Sequence, residues 1–207
     1  MHRILTLFLI SISTNSFGQN FSYDYVELGP FLRFTDGTYT DKYYKGIALS
    51  GRKSLNKNLF LNLSYTNTED DWRDPGEHEE QRMQTFLLGI GSNIKVTDFT
   101  DLILEVNRVH QKHDWKQISP TTRSITYEDD YFLLTTGLRS KLTERTSIEA
   151  NFQHATAGSL NTDLDTLMLS AEYQISNTLS LNILYHTYAF PINDDYWDSS
   201  IALRYYF

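Results

Sequence analysis

The chain has 207 residues, 40% of them apolar and 14% aromatic, a formal net charge of −8 and no cysteine. Without Cys, disulfides, thiolate catalysis and Cys-based metal sites are excluded. The acidic balance argues against nucleic-acid partners, whose phosphates call for clustered Lys and Arg.

The N-terminus reads as a secretory signal peptide. His2 and Arg3 precede an apolar run from Ile4 to Ile10, and Ser16-Phe17-Gly18 supplies small residues at the cleavage position. The run is shorter than the roughly 20 residues of a spanning helix. Cleavage after Gly18 leaves residues 19–207 as one domain.

Ten segments of alternating polarity follow. Successive side chains of a strand point to opposite faces, so period two marks a strand with one apolar face. In the first, Phe21 to Phe34, Val26, Leu28 and Leu32 oppose Tyr25, Glu27 and Gly29. In the second, Tyr44 to Ser54, Ile47 and Leu49 oppose Ala48, Ser50 and Arg52. In the third, Leu59, Leu61, Leu63 and Tyr65 oppose Asn62, Ser64 and Thr66. The fourth, Arg82 to Asn93, sets Phe86, Leu88 and Ile90 against Gly89 and Gly91, but Leu87 interrupts it. The fifth opposes Leu102, Leu104 and Val106 to Glu105 and Asn107, and the sixth opposes Phe132, Leu134 and Leu138 to Thr135, Gly137 and Arg139. In the seventh, Ile148, Ala150 and Phe152 face away from Glu149, Asn151 and Gln153. In the eighth, Leu167, Leu169, Ala171 and Tyr173 face away from Ser170, Glu172 and Gln174. Leu179, Leu181, Ile183 and Tyr185 oppose Ser180, Asn182 and His186 in the ninth. The tenth sets Ile201, Leu203, Tyr205 and the terminal Phe207 against Ser200, Ala202, Arg204 and Tyr206.

The connections alternate in length. Short turns fall at Asn56-Lys57-Asn58, Lys95 to Thr100, Thr143 to Thr146 and Ser176 to Thr178. Longer polar loops are expected at Thr35 to Tyr43, Glu69 to Gln81, His113 to Glu128, Gly158 to Asp163 and Pro191 to Tyr196. Short turns at one end and long loops at the other are the mark of a transmembrane barrel, and strands of about eleven residues match a tilted bilayer crossing. An even strand count brings both termini to the short-turn end. The competing fold is a soluble barrel or sandwich, with the apolar parity turned into a core.

Seven charges sit mid-strand on the polar parity: Glu27, Arg52, Glu105, Arg139, Glu149, Glu172 and Arg204. In a membrane barrel that parity faces inward, where charges must be paired. We therefore expect an interior network that fills the bore; a conducting pore is the alternative. Which carboxylate meets which guanidinium is not readable from spacing.

Chemistry-bearing clusters are few. The acidic stretch from Glu69 to Arg82 carries oxygen ligands that could hold a divalent ion, but without the spacing of a calcium loop, and reads as a solvated acidic loop. His110, His113, His154 and His186 lie towards loop ends, with Asp163, Asp165, Asp194 and Asp195 as candidate acidic neighbours. His154-Ala155-Thr156 faintly resembles the His-x-Ser site of lipid A deacylase barrels, with Thr156 in the nucleophile position and Asp165 a poor stand-in for the orienting Glu. No phosphate loop, zinc motif or cofactor site is present.

The closing strand, ending on Tyr205 and Phe207, resembles the C-terminal strand of bacterial outer-membrane β-barrels, which the assembly machinery of that membrane recognises. Tyr23-Asp24-Tyr25-Val26-Glu27-Leu28-Gly29 is similar to the first strand of small proteobacterial, porin-like outer-membrane barrel proteins. The resemblance implies a closed antiparallel ten-stranded transmembrane barrel, exported to the outer membrane. Its expected partners are outer-membrane lipid, lipopolysaccharide and the barrel assembly machinery. It offers no catalytic residue to carry over, and a monomer without a cofactor is expected. The expected role is structural or surface-interacting, with a narrow passive channel as the alternative and a rim-sited hydrolase third.

Overall fold

The computed structural model of the chain describes residues 21–35, 42–74, 77–119, 121–156, 164–188 and 196–207. The expected signal peptide, the loop residues 36–41, 157–163 and 189–195, and with them Asp163, Asp194 and Asp195, lie outside the described residues.

The strands are β1 (Tyr25–Thr35), β2 (Lys42–Ser54), β3 (Leu59–Asp74), β4 (Glu77–Lys95), β5 (Thr100–Ser119), β6 (Arg123–Lys141), β7 (Thr146–Ala155), β8 (Leu164–Gln174), β9 (Leu179–Tyr188) and β10 (Tyr196–Tyr206). Each pairs antiparallel with its neighbours in sequence, and β1 pairs with β10, so the sheet closes into a barrel. At that seam Tyr25 lies opposite Tyr206, Glu27 opposite Arg204 and Leu28 opposite Leu203.

The apolar parity faces outward. Leu28, Ile47, Leu88, Phe132, Ile183 and Ile201 are each about half exposed, while Arg52, Asn107, Arg139, Asn151 and Asn182 on the other parity are buried. A continuous apolar belt around a closed cylinder with an ionic interior inverts a soluble core, and is the arrangement that satisfies every strand in hydrocarbon. The soluble-barrel alternative therefore fails. Leu87, the residue that interrupts the fourth segment, takes the inward parity of β4 and joins Met168 and Leu184 in lining the bore.

The four short turns are built alike. Leu55, Val96, Leu142 and Ile175 each donate a backbone N–H to the carbonyl four residues on, at 2.8–2.9 Å. The next residue in each case, Asn56, Thr97, Thr143 or Ser176, accepts the N–H two residues on through its side-chain oxygen. Asx and Ser/Thr side chains that replace a backbone acceptor favour such turns. The aliphatic residue before each stays exposed and extends the outer belt to the turn.

At the opposite end the architecture differs from expectation. The stretches Glu69 to Gln81 and His113 to Glu128 are not loops: β3 and β4 stay paired out to Asp74 and Glu77, and β5 and β6 out to Gln117 and Arg123. A four-stranded sheet thus stands above the barrel mouth, with one register shift at His78/Glu79. The polarity that suggested loops belongs to strands with water on both sides, whose outward positions carry charge and whose inward ones carry aromatics.

Candidate functional site

Glycine shapes the bore. At Gly137 of β6 a side chain would collide with Asn151 Oδ1 and the Ala150 carbonyl, and at Gly91 of β4 with the Phe60 ring. These gaps let large side chains lie flat across the neighbouring strand.

The seven interior charges form one continuous chain. Arg52 Nη2 lies 2.5 Å from Glu105 Oε1 and 3.5 Å from Glu149 Oε1. Arg139 is 3.9 Å from Glu149 and 2.6 Å from Glu172. Arg204 is 2.8 Å from both Glu172 and Glu27. The order Glu105–Arg52–Glu149–Arg139–Glu172–Arg204–Glu27 alternates in sign from β5 across the bore to β1. Amides and hydroxyls take the remaining lone pairs: Asn62 donates to Glu105 at 3.0 Å, Asn151 to Glu149 at 2.7 Å, Asn182 to Glu27 at 3.1 Å, and Tyr206 to Glu172 at 2.5 Å. Pairing of every carboxylate is what makes this buried charge tolerable, while Arg52 Nε and Nη1 and Arg139 Nη1 meet no acceptor among the described residues.

Below this chain, at the short-turn end, the residues before β1 fold into the bore. Tyr23 is fully buried, stacks on Phe60 with centroids 4.9 Å apart, and donates to Asp101 Oδ2 at 3.3 Å. Phe21, Tyr23, Phe60 and Ile103 make one buried apolar cluster. The guanidinium of Arg139 sits 4.4 Å from the Phe21 ring centre and that of Arg52 5.0 Å from Phe60. Desolvated contacts of this type are attractive, so the cations grip the seal as well as the carboxylates. The sequence reading did not single out these aromatics. The available signal was parity: Phe21, Tyr23 and Phe60 are rings on the otherwise polar face.

Above the chain a chamber of about 150 Å³ lies between the ionic layer and Leu87, Met168 and Leu184. Higher still, Arg33 holds Asp198 through two bonds of 2.7 and 2.9 Å and contacts Met83, while His186 lies 3.4 Å from Asp198.

The two faces of the projecting sheet differ. Outward, charges alternate in sign: Arg82 with Glu69 at 3.4 Å, Lys116 with Glu80 at 3.5 Å and Arg108 with Asp130 at 3.2 Å. Arg73 and His78 both reach Asp71, at 2.8 Å. The hydrogen bond from Arg73 holds the Asp71 carboxyl below the usual aspartate range; one from Thr126 does the same for Asp114. The acidic residues of 69–82 are thus spread along two strands, and among the described residues no three His, Asp or Glu converge on a metal-sized site. Inward, the sheet carries Trp72, Glu79, Gln81, His113, Trp115 and Tyr127, which sequence reasoning had assigned to loops.

The remaining candidates separate. His110 reaches Asp130 at 3.4 Å on the outer face, and His113 meets Gln81 at 3.1 Å on the inner one. His154 and Asp165 come together at 2.8 Å on the outward rim of β7 and β8. Thr156 bonds the Phe132 backbone instead, donating to its carbonyl at 3.1 Å and accepting its N–H at 3.2 Å. Tyr205 and Phe207 are exposed at the foot of β10, with Lys53 Nζ 4.8 Å from the Phe207 ring centre.

No family model matches the chain, and no curated protein is similar to it in sequence. Solved structures are similar in shape. The translocator domain of the autotransporter NalP from Neisseria meningitidis aligns with a TM-score of 0.53 at 10% identity, over 100% of this chain and 94% of that one. Ail, the attachment invasion locus protein of Yersinia pestis, aligns at 0.46 and 11% identity, over 89% and 100%. Neisserial surface protein A aligns at 0.45 and 10% identity, over 90% and 98%. Ten antiparallel strands closed on themselves, an apolar exterior and the likeness to the NalP translocator give this chain the fold of the bacterial outer-membrane β-barrels.

Proposed function

We propose that the chain is a monomeric, non-conducting outer-membrane barrel whose task is to hold a rigid sheet above the cell surface for interaction there. Residues 1–18 are its export signal, and the strand ending in Tyr205 and Phe207 is the element its assembly machinery reads. Outer-membrane lipid and lipopolysaccharide contact the belt and the charged rim above it.

One observation carries this reading: the bore is crossed by a continuous ionic chain in which every carboxylate is paired, resting on the Phe21–Tyr23–Phe60 seal. A water-filled channel needs continuous polar space, and here the charges spend their hydrogen bonds on one another. The rigid part of the molecule that remains available is the projecting sheet. A hydrolytic role is not supported, since the Thr156 hydroxyl serves the Phe132 backbone rather than the His154 imidazole. Planar-bilayer recording of the purified mature protein is the test. We expect insertion without steady current; stable unitary conductance would overturn the proposal in favour of the narrow passive channel.

A further inference from the structure

The inward face of the projecting sheet combines ring faces with acceptor groups in a fixed pattern. Register places Trp72 opposite Glu79, Gln81 opposite Trp115 and His113 opposite Tyr127. All six lie on the parity that lines the bore lower down, so they look across the mouth rather than outward. Trp72 and Trp115 are partly exposed and Tyr127 is 53% exposed, far more than the rings of the seal below. Trp72 and Trp115 stand on β3 and β5, two strands and about 10 Å apart across the sheet.

The set is held in place at its edges. Trp115 Nε1 donates to Glu79 Oε2 at 3.1 Å, fixing the indole by its edge. Gln81 Oε1 accepts from Tyr44 at 2.5 Å and lies 3.1 Å from His113 Nε2, while Gln81 Nε2 donates to Glu79 at 3.4 Å. A surface whose rings are already oriented loses little freedom when a ligand arrives.

Rings with negative faces attract the polarised C–H face of a pyranose, and amides or carboxylates beside them accept its equatorial hydroxyls. A peptide strand would instead add to the sheet's free edges, the upper parts of β3 and β6, and not to the ring-bearing face between them. Charge narrows the choice further. Among the described residues of the sheet, Asp70, Glu79 and Asp129 share this face with Arg123, and Arg33 across the mouth is held by Asp198, so sulfated or uronate chains meet like charge.

We propose that this face binds neutral oligosaccharides, stacked on Trp72 and Trp115 with the Glu79 carboxylate beside them as hydroxyl acceptor. It deepens the surface-interaction reading and names its ligand class. The test uses the full mature chain in detergent, with tryptophan fluorescence and calorimetry read during titration with triacetylchitotriose, maltotriose and, as the anionic control, a heparin tetrasaccharide. We expect millimolar or tighter binding of at least one neutral trisaccharide with a Trp emission shift, and none of the heparin fragment. W72A/W115A should weaken that binding by about tenfold or more, while W115F keeps most of it. Both variants should still run as the folded species on unheated gels, which removes misfolding as an explanation. Absence of neutral-sugar binding, binding that survives W72A/W115A, or tighter binding of heparin overturns the assignment. None of these readings depends on conductance, so failure here leaves the non-conducting barrel standing, and a conducting barrel leaves this test intact.

Discussion

Arg139 shows what one residue is asked to do in this bore. It bridges Glu149 and Glu172, meets the Tyr206 hydroxyl at 3.2 Å and lies over Phe21. Its side chain is 3% exposed, so Arg139→Ala cuts the buried chain at its middle and leaves Glu149 to Arg52 and Glu172 to Arg204 alone; removing one partner from a buried pair costs about 3–5 kcal/mol. By contrast Arg108→Ala, at an outward pair with both side chains at least half exposed, should cost no more than about 1 kcal/mol. The temperature at which the folded gel band converts to the unfolded one separates the two variants. Equal shifts would mean the interior charges are not mutually dependent. That Arg139 faces inward was legible from its parity, opposite to that of Phe132, Leu134 and Leu138. Its partners were not. Glu149 is its direct cross-strand neighbour, but Glu172 lies two strands away, and the Arg52–Glu149 contact spans the bore from β2 to β7. Only closure of the sheet brings that last pair together.

Among the elements, strands with lipid on one side and charge on the other were readable, because the two solvents impose opposite chemistry on alternate residues. The upper halves of β3 to β6 were not, since water on both faces removes the hydrophobic half of that contrast. Their order instead comes from cross-strand pairs such as Arg82–Glu69 and from ring packing on the inner face. The Asp71 cluster gives this a measurable consequence. A carboxyl depressed by Arg73 and His78 stabilises the hairpin at pH values above the ordinary aspartate range, and that contribution disappears as acid protonates it. In micelles, carbon-detected NMR should find Asp71 titrating below an ordinary aspartate, and Arg73→Ala should return it towards the ordinary value. An unchanged titration in that variant would show the hairpin pairs to be incidental.

For the whole molecule the two ends are built to different plans: identical tight turns flush with the apolar belt at one end, a tall sheet at the other. The bore between them is closed twice, by rings and by charge. Phe21→Ala with Tyr23→Ala removes two of the three rings of the lower closure while leaving every ion pair above it. We expect that double variant to stay silent in planar bilayers, and to pass current only when Arg139→Ala is added. Current from the double variant alone would mean the aromatic cluster is the sole barrier. Strand number and the direction of the polar face followed from the sequence; the aromatic closure did not, because its rings sit on the face where polarity was expected.

Glu27 and Arg204 belong to the first and last strands and meet across the seam at 2.8 Å. Among the described residues, Arg204 is the cation within ion-pair reach of Glu27, so a half-wrapped ribbon in lipid would carry a naked anion along its leading margin. Zipping the two margins together and cancelling that charge are a single event. Partly rolled intermediates are thereby penalised, and insertion should run as an all-or-none step whose last move is the joining of the chain's own ends.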